Sequence, residues 1–136
     1  MLNDTLHLSS LARASRQVYN RQLVTFYADH DRRPAQALAL AGRELAVRKD
    51  VYGWDAYAWA LYRAGRLAEA RSASDRALRL GTRDARLFYH SGLISLSLGD
   101  EERAARDLET ALDISQVFDP LQARAARRAL NALGGQ

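Results

Sequence analysis

Residues 51–84 read VYGWDAYAWALYRAGRLAEARSASDRALRLGTRD, and the stretch that follows repeats their pattern. Sliding the chain by 34 residues sets Trp54 on Phe88, Ala58 on Gly92, Gly65 on Gly99, Ala70 on Ala104, Ala77 on Ala111, Leu78 on Leu112 and Leu80 on Ile114. Within each copy a glycine, Gly65 or Gly99, separates two segments whose apolar residues recur at helical spacing, so each copy is a helix-turn-helix unit. Such a unit cannot bury its apolar face alone. Stacked copies bury a continuous core, and the period therefore predicts a helical solenoid.

Two motifs give the repeat a familiar form. Trp54-x2-Tyr57-Ala58-x2-Leu61 stands where tetratricopeptide repeats carry W-x2-L-G-x2-Y, and Ala70-x3-Ser74-x2-Ala77 stands where they carry A-x3-F-x2-A. The chain thus resembles the tetratricopeptide repeat family. Ser74 and Ser95 occupy slots that the family fills with large residues, and Thr82 and Gln116 replace its closing proline. The runs Ala58 to Arg66 and Gly81 to Arg86 also resemble C-terminal repeat modules of larger bacterial proteins. The resemblance implies an all-α superhelix of about three helical hairpins with a C-terminal capping helix. It also implies a scaffold that binds a protein or peptide partner and needs no cofactor.

The expected organisation is one domain over 1–136, with a degenerate repeat at 10–50, repeats at 51–84 and 85–118, and a capping helix at 119–133. Ser10 to Asp29 carries an amphipathic pattern that includes Leu11, Val18, Leu23, Phe26 and Tyr27. Asp29 to Arg33 then reads as a turn, because Pro34 suits the first position of a helix, expected to run to Arg48 with Ala37, Leu38, Ala41, Leu45 and Ala46 recurring at packing spacing. Asp50 caps a helix from Val51 to Ala64, Gly81 closes one from Leu67 to Leu80, and Thr82 or Asp84 caps Ala85 to Leu98. Asp100 caps Glu101 to Ile114, and Asp119-Pro120 starts a helix from Leu121 to Leu133. On that last helix Arg124, Arg127, Arg128 and Asn131 form a wet face, opposite a packing face that includes Leu121, Ala126 and Leu130.

The helix beginning at Val51 has two stripes. Trp54, Tyr57, Ala58 and Leu61 carry the repeat pattern and are expected in the core. Tyr52, Asp55, Trp59 and Tyr62 form the second stripe; the resemblance puts it on the concave surface, since first helices of tetratricopeptide hairpins line that groove. The equivalent positions one repeat later are Arg86, Tyr89, Leu93 and Leu96, with His90 beside them, and one repeat earlier Val18, Arg21, Thr25 and Ala28. This groove has tyrosine and tryptophan anchors, residue types favoured at binding hot spots. Its expected occupant is an apolar or aromatic peptide with an acidic group for Arg86. The competing expectation is that neighbouring first helices pack on each other, which turns part of this stripe into inter-repeat core. The paired amides of a terminal-carboxylate grip are absent, since Asp55, Trp59 and Tyr89 stand where such a site needs them.

Enzyme chemistry finds no footing in the pattern. His7, His30 and His90 are far apart, the serines lack a nucleophile motif, and Gly65, Gly81 and Gly99 are spaced as helix stops rather than as a phosphate loop. Asp29-His30-Asp31 reads as a polar turn in preference to a metal site. With 48% hydrophobic and 26% charged residues the chain is neither disordered nor membrane-inserting, and it carries no cysteine for disulfides or thiolate sites. The net charge of +4 is modest and no aromatics interleave Arg124, Arg127 and Arg128, so nucleic acid is disfavoured as a partner. Self-association through Leu2, Leu6, Leu8 and an exposed end helix is the alternative function, with a homo-oligomer as its consequence. The N-terminus lacks the features of a secretory signal, and the expected location is cytoplasmic.

Overall fold

The computed structural model describes residues 21–29, 33–116 and 119–134, and these are helical apart from short connections. Residues 21–29 form α1. The chain continues through α2 (Pro34–Val47), α3 (Val51–Arg63), α4 (Leu67–Arg79), α5 (Ala85–Ser97), α6 (Glu101–Ile114) and α7 (Pro120–Gly134). No strand occurs among the described residues, and no helix is long and apolar enough to cross a membrane. The expected turn residues 30–32, the helix expected from Ser10 as far as residue 20, and His7 with Leu2, Leu6 and Leu8 lie outside the described residues.

The helix ends follow from local chemistry. The Asp50 carboxylate accepts from the Gly53 N–H at 2.8 Å, Asp84 from Arg86 at 2.9 Å and Asp100 from Arg103 at 3.2 Å. Each satisfies a first-turn donor that has no partner within its own helix, a contribution of about 1 kcal/mol. Asp84, not Thr82, caps α5. At the other end, Gly65 has φ 82° and lets its own N–H reach the Tyr62 carbonyl while Arg66 N–H reaches Leu61. Gly99, at φ 85°, closes the same pair of bonds onto Leu96 and Ser95. The two hairpins therefore turn by one mechanism, 34 residues apart.

The hairpins α3/α4 and α5/α6 are closely packed, α2 lies against α3, α4 against α5, and α7 against α6. Alanines let the helices approach: Ala58, Ala70, Ala77, Ala104 and Ala111 are completely buried beside Leu61, Ile94 and Leu108. In α2, Ala37, Ala41 and Leu45 are buried as their spacing required, but Ala46 is exposed and Glu44 is buried in its stead, paired with Arg21 at 3.4 Å. In α7, Ala123 and Ala126 cover the cluster holding Leu108 and Leu112, while Arg124, Arg127, Arg128 and Asn131 are exposed. Leu121, expected on the packing face, is 70% exposed, because Ala123 and Ala126 set the packing side of α7 and Leu121 lies about 160° and about 140° around the helix from them.

The serines do more than make room. Arg71 on α4 donates to the Ser91 carbonyl and hydroxyl at 2.9 and 2.7 Å and to the Ser95 hydroxyl at 2.7 Å. Ser91 donates in turn to Asp107 on α6, and Arg103 reaches Asp75 at 2.6 Å. The space a large residue would occupy at position 95 is thus shared with a guanidinium. Burial pulls that guanidinium below its ordinary value, Arg103 adds to the effect, and Asp75 opposes it.

Candidate functional site: a cleft between the first helices

The first helices α1, α3 and α5 line a cleft of about 560 Å³. α1 contributes Arg21, Gln22, Thr25, Phe26 and Asp29; α3 contributes Tyr52, Asp55, Ala56 and Trp59; α5 and its cap contribute Asp84, Arg86, Leu87 and His90. Among the described residues none from a second helix takes part, which is the arrangement expected of a concave face.

Of the expected groove residues, Tyr52, Asp55, Trp59, Arg86 and His90 line this cleft, and Tyr62, Tyr89, Leu93 and Leu96 do not. Tyr89 is 5% exposed and belongs to the core cluster, against which Tyr62 and Leu93 also pack; Leu96 is half-buried. Trp59 is itself only 4% exposed, with Tyr62 stacked at 4.8 Å and His90 at 4.2 Å, so it forms floor rather than rim. Trp54, expected in the core, is half-buried with the Arg76 guanidinium 5.0 Å above its ring. The reason is position along the helix. Trp54 sits in the first turn of α3 and packs against the α3/α4 core beneath Arg76 of the last turn of α4, whereas Trp59 sits mid-helix in a cluster with Ala28 of α1 and Ala85 and Tyr89 of α5. Tyr57 is likewise half-buried, and Ala58 and Leu61 are fully buried as expected.

The rim carries the accessible groups. Phe26 is 45% and Tyr52 48% exposed. The Tyr52 hydroxyl donates to Asp84 at 3.4 Å, and loss of solvent, followed by the Asp84 charge, raises its phenol above the ordinary value. Arg21 is engaged away from the cleft, by Glu44 at 3.4 Å and Asp50 at 3.5 Å. The Arg86 guanidinium is exposed and forms no ion pair with a described residue. Asp29 is the last described residue of α1; burial raises its carboxyl, His90 most strongly opposes that rise, and the Trp59 N–H and Arg86 oppose it further while Asp119 adds to it.

The floor holds the closest polar contact. His90 Nδ1 lies 2.9 and 3.0 Å from the two oxygens of Asp55. Periodicity places Arg21 and Thr25 beside this surface, but it does not point to Gln22, Phe26, Asp29, Ala56, Asp84 or Leu87. Asp84 was legible only as a cap and Phe26 only as one more apolar residue of an amphipathic helix. No group of three potential metal ligands occurs among the described residues.

Solved structures share this architecture. SycD, the type III secretion translocator chaperone of Yersinia enterocolitica, in a crystal structure of an alternative dimer, matches 88% of this chain and 92% of its own with a TM-score of 0.73 at 11% identity. The first tetratricopeptide domain of human RPAP3 matches 88% of this chain and 96% of its own with a TM-score of 0.66 at 16% identity. The chain therefore has a tetratricopeptide-like fold. No protein-family model matches the sequence, and no curated protein matches it.

Proposed function

We propose that this protein is a non-catalytic scaffold of the cytoplasm that seats a peptide segment of a partner protein in the cleft between α1, α3 and α5. One observation carries the reading: three consecutive first helices enclose a cleft whose rim offers two exposed aromatic rings, Phe26 and Tyr52, beside the cation Arg86, which forms no ion pair with a described residue. Aromatic rings bury much area at small entropic cost, and a lone guanidinium selects a carboxylate. The matching occupant is an apolar or aromatic segment with one acidic residue. That one structural neighbour is described as a chaperone supports a protein as partner.

The test is selection of peptides from a random displayed library by the full chain. Recovered sequences are expected to share an aromatic and an acidic residue. They should lose about 2 kcal/mol of binding on Tyr52→Ala and a salt-sensitive part on Arg86→Glu. Replacing Arg124, Arg127 and Arg128 together by glutamine should leave them bound. Peptides that bind the cleft variants normally and fail on the triple arginine variant would move the site to α7. Self-association remains the second reading, favoured by Leu121 at 70% and Val47 at 64% exposed, and a rise of scattering mass with concentration would establish it.

A further inference from the structure

His90 is 3% exposed in the cleft floor, and its two ring nitrogens have unequal surroundings. Nδ1 faces both oxygens of Asp55 on α3, at 2.9 and 3.0 Å. An ionised carboxylate only accepts, so Nδ1 carries a proton. Nε2 is buried without a hydrogen-bond partner, as is Trp59 Nε1 in the ring stacked 4.2 Å away. In the neutral ring Nε2 is a lone pair, which a dry site tolerates. In the imidazolium it becomes a buried N–H that requires an acceptor.

The acceptor is available on the opposite wall. Asp29 of α1 lines the same cleft as Trp59 and His90; burial raises its carboxyl, and a positive charge on His90 is the strongest influence opposing that rise, while Trp59 Nε1 closes no hydrogen bond. The other groups around the ring leave this pairing in place. On α5 itself, Arg86 competes weakly for Asp29, and Tyr89, its ring 5.7 Å from His90, keeps its phenol proton to about 12. Asp119 ahead of α7 adds to the rise of the Asp29 carboxyl, Tyr62 of α3 stacks on Trp59, and α6 brings Leu108, Ala111, Leu112 and Ile114 to this cluster.

We infer that His90 is a proton-operated latch: on taking up a second proton from solvent it draws the Asp29 carboxylate of α1 onto Nε2–H and narrows the cleft, and on losing that proton it lets α1 and α5 part. Asp55 holds the ring for this motion by anchoring Nδ1 to α3. The consequence that acidification restricts partner entry rests on the cleft being the binding site. The latch itself does not, and it is measured on the free protein.

The experiment is urea unfolding of the full chain with Asp29→Asn, His90→Gln and the double variant, at about pH 5.5 and pH 8.5. In the presence of His90, the unfolding constant of Asp29→Asn relative to wild type should rise roughly tenfold from the higher to the lower pH. In the His90→Gln background it should change by less than about twofold. An equal change in both backgrounds overturns the latch. Because His90 is buried and its replacement could unfold the chain, a second measurement keeps only the exposed Asp29→Asn. The chain has no cysteine, so spin labels at Gln22→Cys and Ser97→Cys report the α1–α5 distance cleanly. Shortening on acidification in the otherwise unaltered chain, abolished by Asp29→Asn, supports the latch. An unchanged distance, or the same shortening in Asp29→Asn, overturns it.

Discussion

Gly92 of α5 and Leu108 of α6 approach so closely that a Cβ on residue 92 would stand 2.7 Å from Leu108 Cγ and 2.8 Å from its Cδ2. Leu108 is completely buried and cannot swing aside. Gly92→Ala should therefore destabilise the protein by about 1–3 kcal/mol, and Gly92→Leu by more, because the overpacked hairpin must open. Urea unfolding checks this, and an unchanged midpoint for both would mean that the packing of α5 on α6 is wrong.

The two tryptophans should rank opposite to their place in the repeat motif. Trp59→Ala removes a ring that is 4% exposed and stacked on two neighbours, and should cost about 3–5 kcal/mol. Trp54→Ala removes a half-buried ring under Arg76 and should cost about 1–2 kcal/mol. Thermal melts of the two variants decide the order.

Stability should fall in alkali through Tyr89. Burial pushes its phenol from 10.0 up to about 12, so the folded chain keeps a proton that the unfolded chain loses. The contribution is complete below pH 10 and declines by about 1.4 kcal/mol per pH unit until the folded phenol ionises. Unfolding midpoints measured across that interval should lose this slope in Tyr89→Phe; an identical slope in the variant would contradict the assignment.

Removing residues 119–136 should uncover Leu108 and Leu112, which Ala123 and Ala126 now cover. The truncated chain is expected to associate, seen as a larger scattering mass and a lower melting temperature. A monomer of unaltered stability would show that α7 does not close the core.

What the sequence determined is what neighbouring residues settle among themselves. Gly65 and Gly99 stop helices because a positive φ is needed where the chain leaves the helix, and Asp50, Asp84 and Asp100 start them because first-turn N–H groups need an acceptor within reach. These are events within about one turn of chain, and with the 34-residue period they are enough to define hairpins and a solenoid. Which side of α3 meets water was decided elsewhere. α1 and α5 close over Trp59, while Trp54 packs only half-buried against the α3/α4 core beneath Arg76, so the expected core and groove residues partly exchange burial. The pairing of His90 with Asp55 spans 35 residues, and the bonds from Arg71 to Ser91 and Ser95 span 20 and 24. No local period encodes such contacts. They depend on the angle at which one hairpin lies on the next, which the packed alanines and glycines set only when the whole stack is assembled.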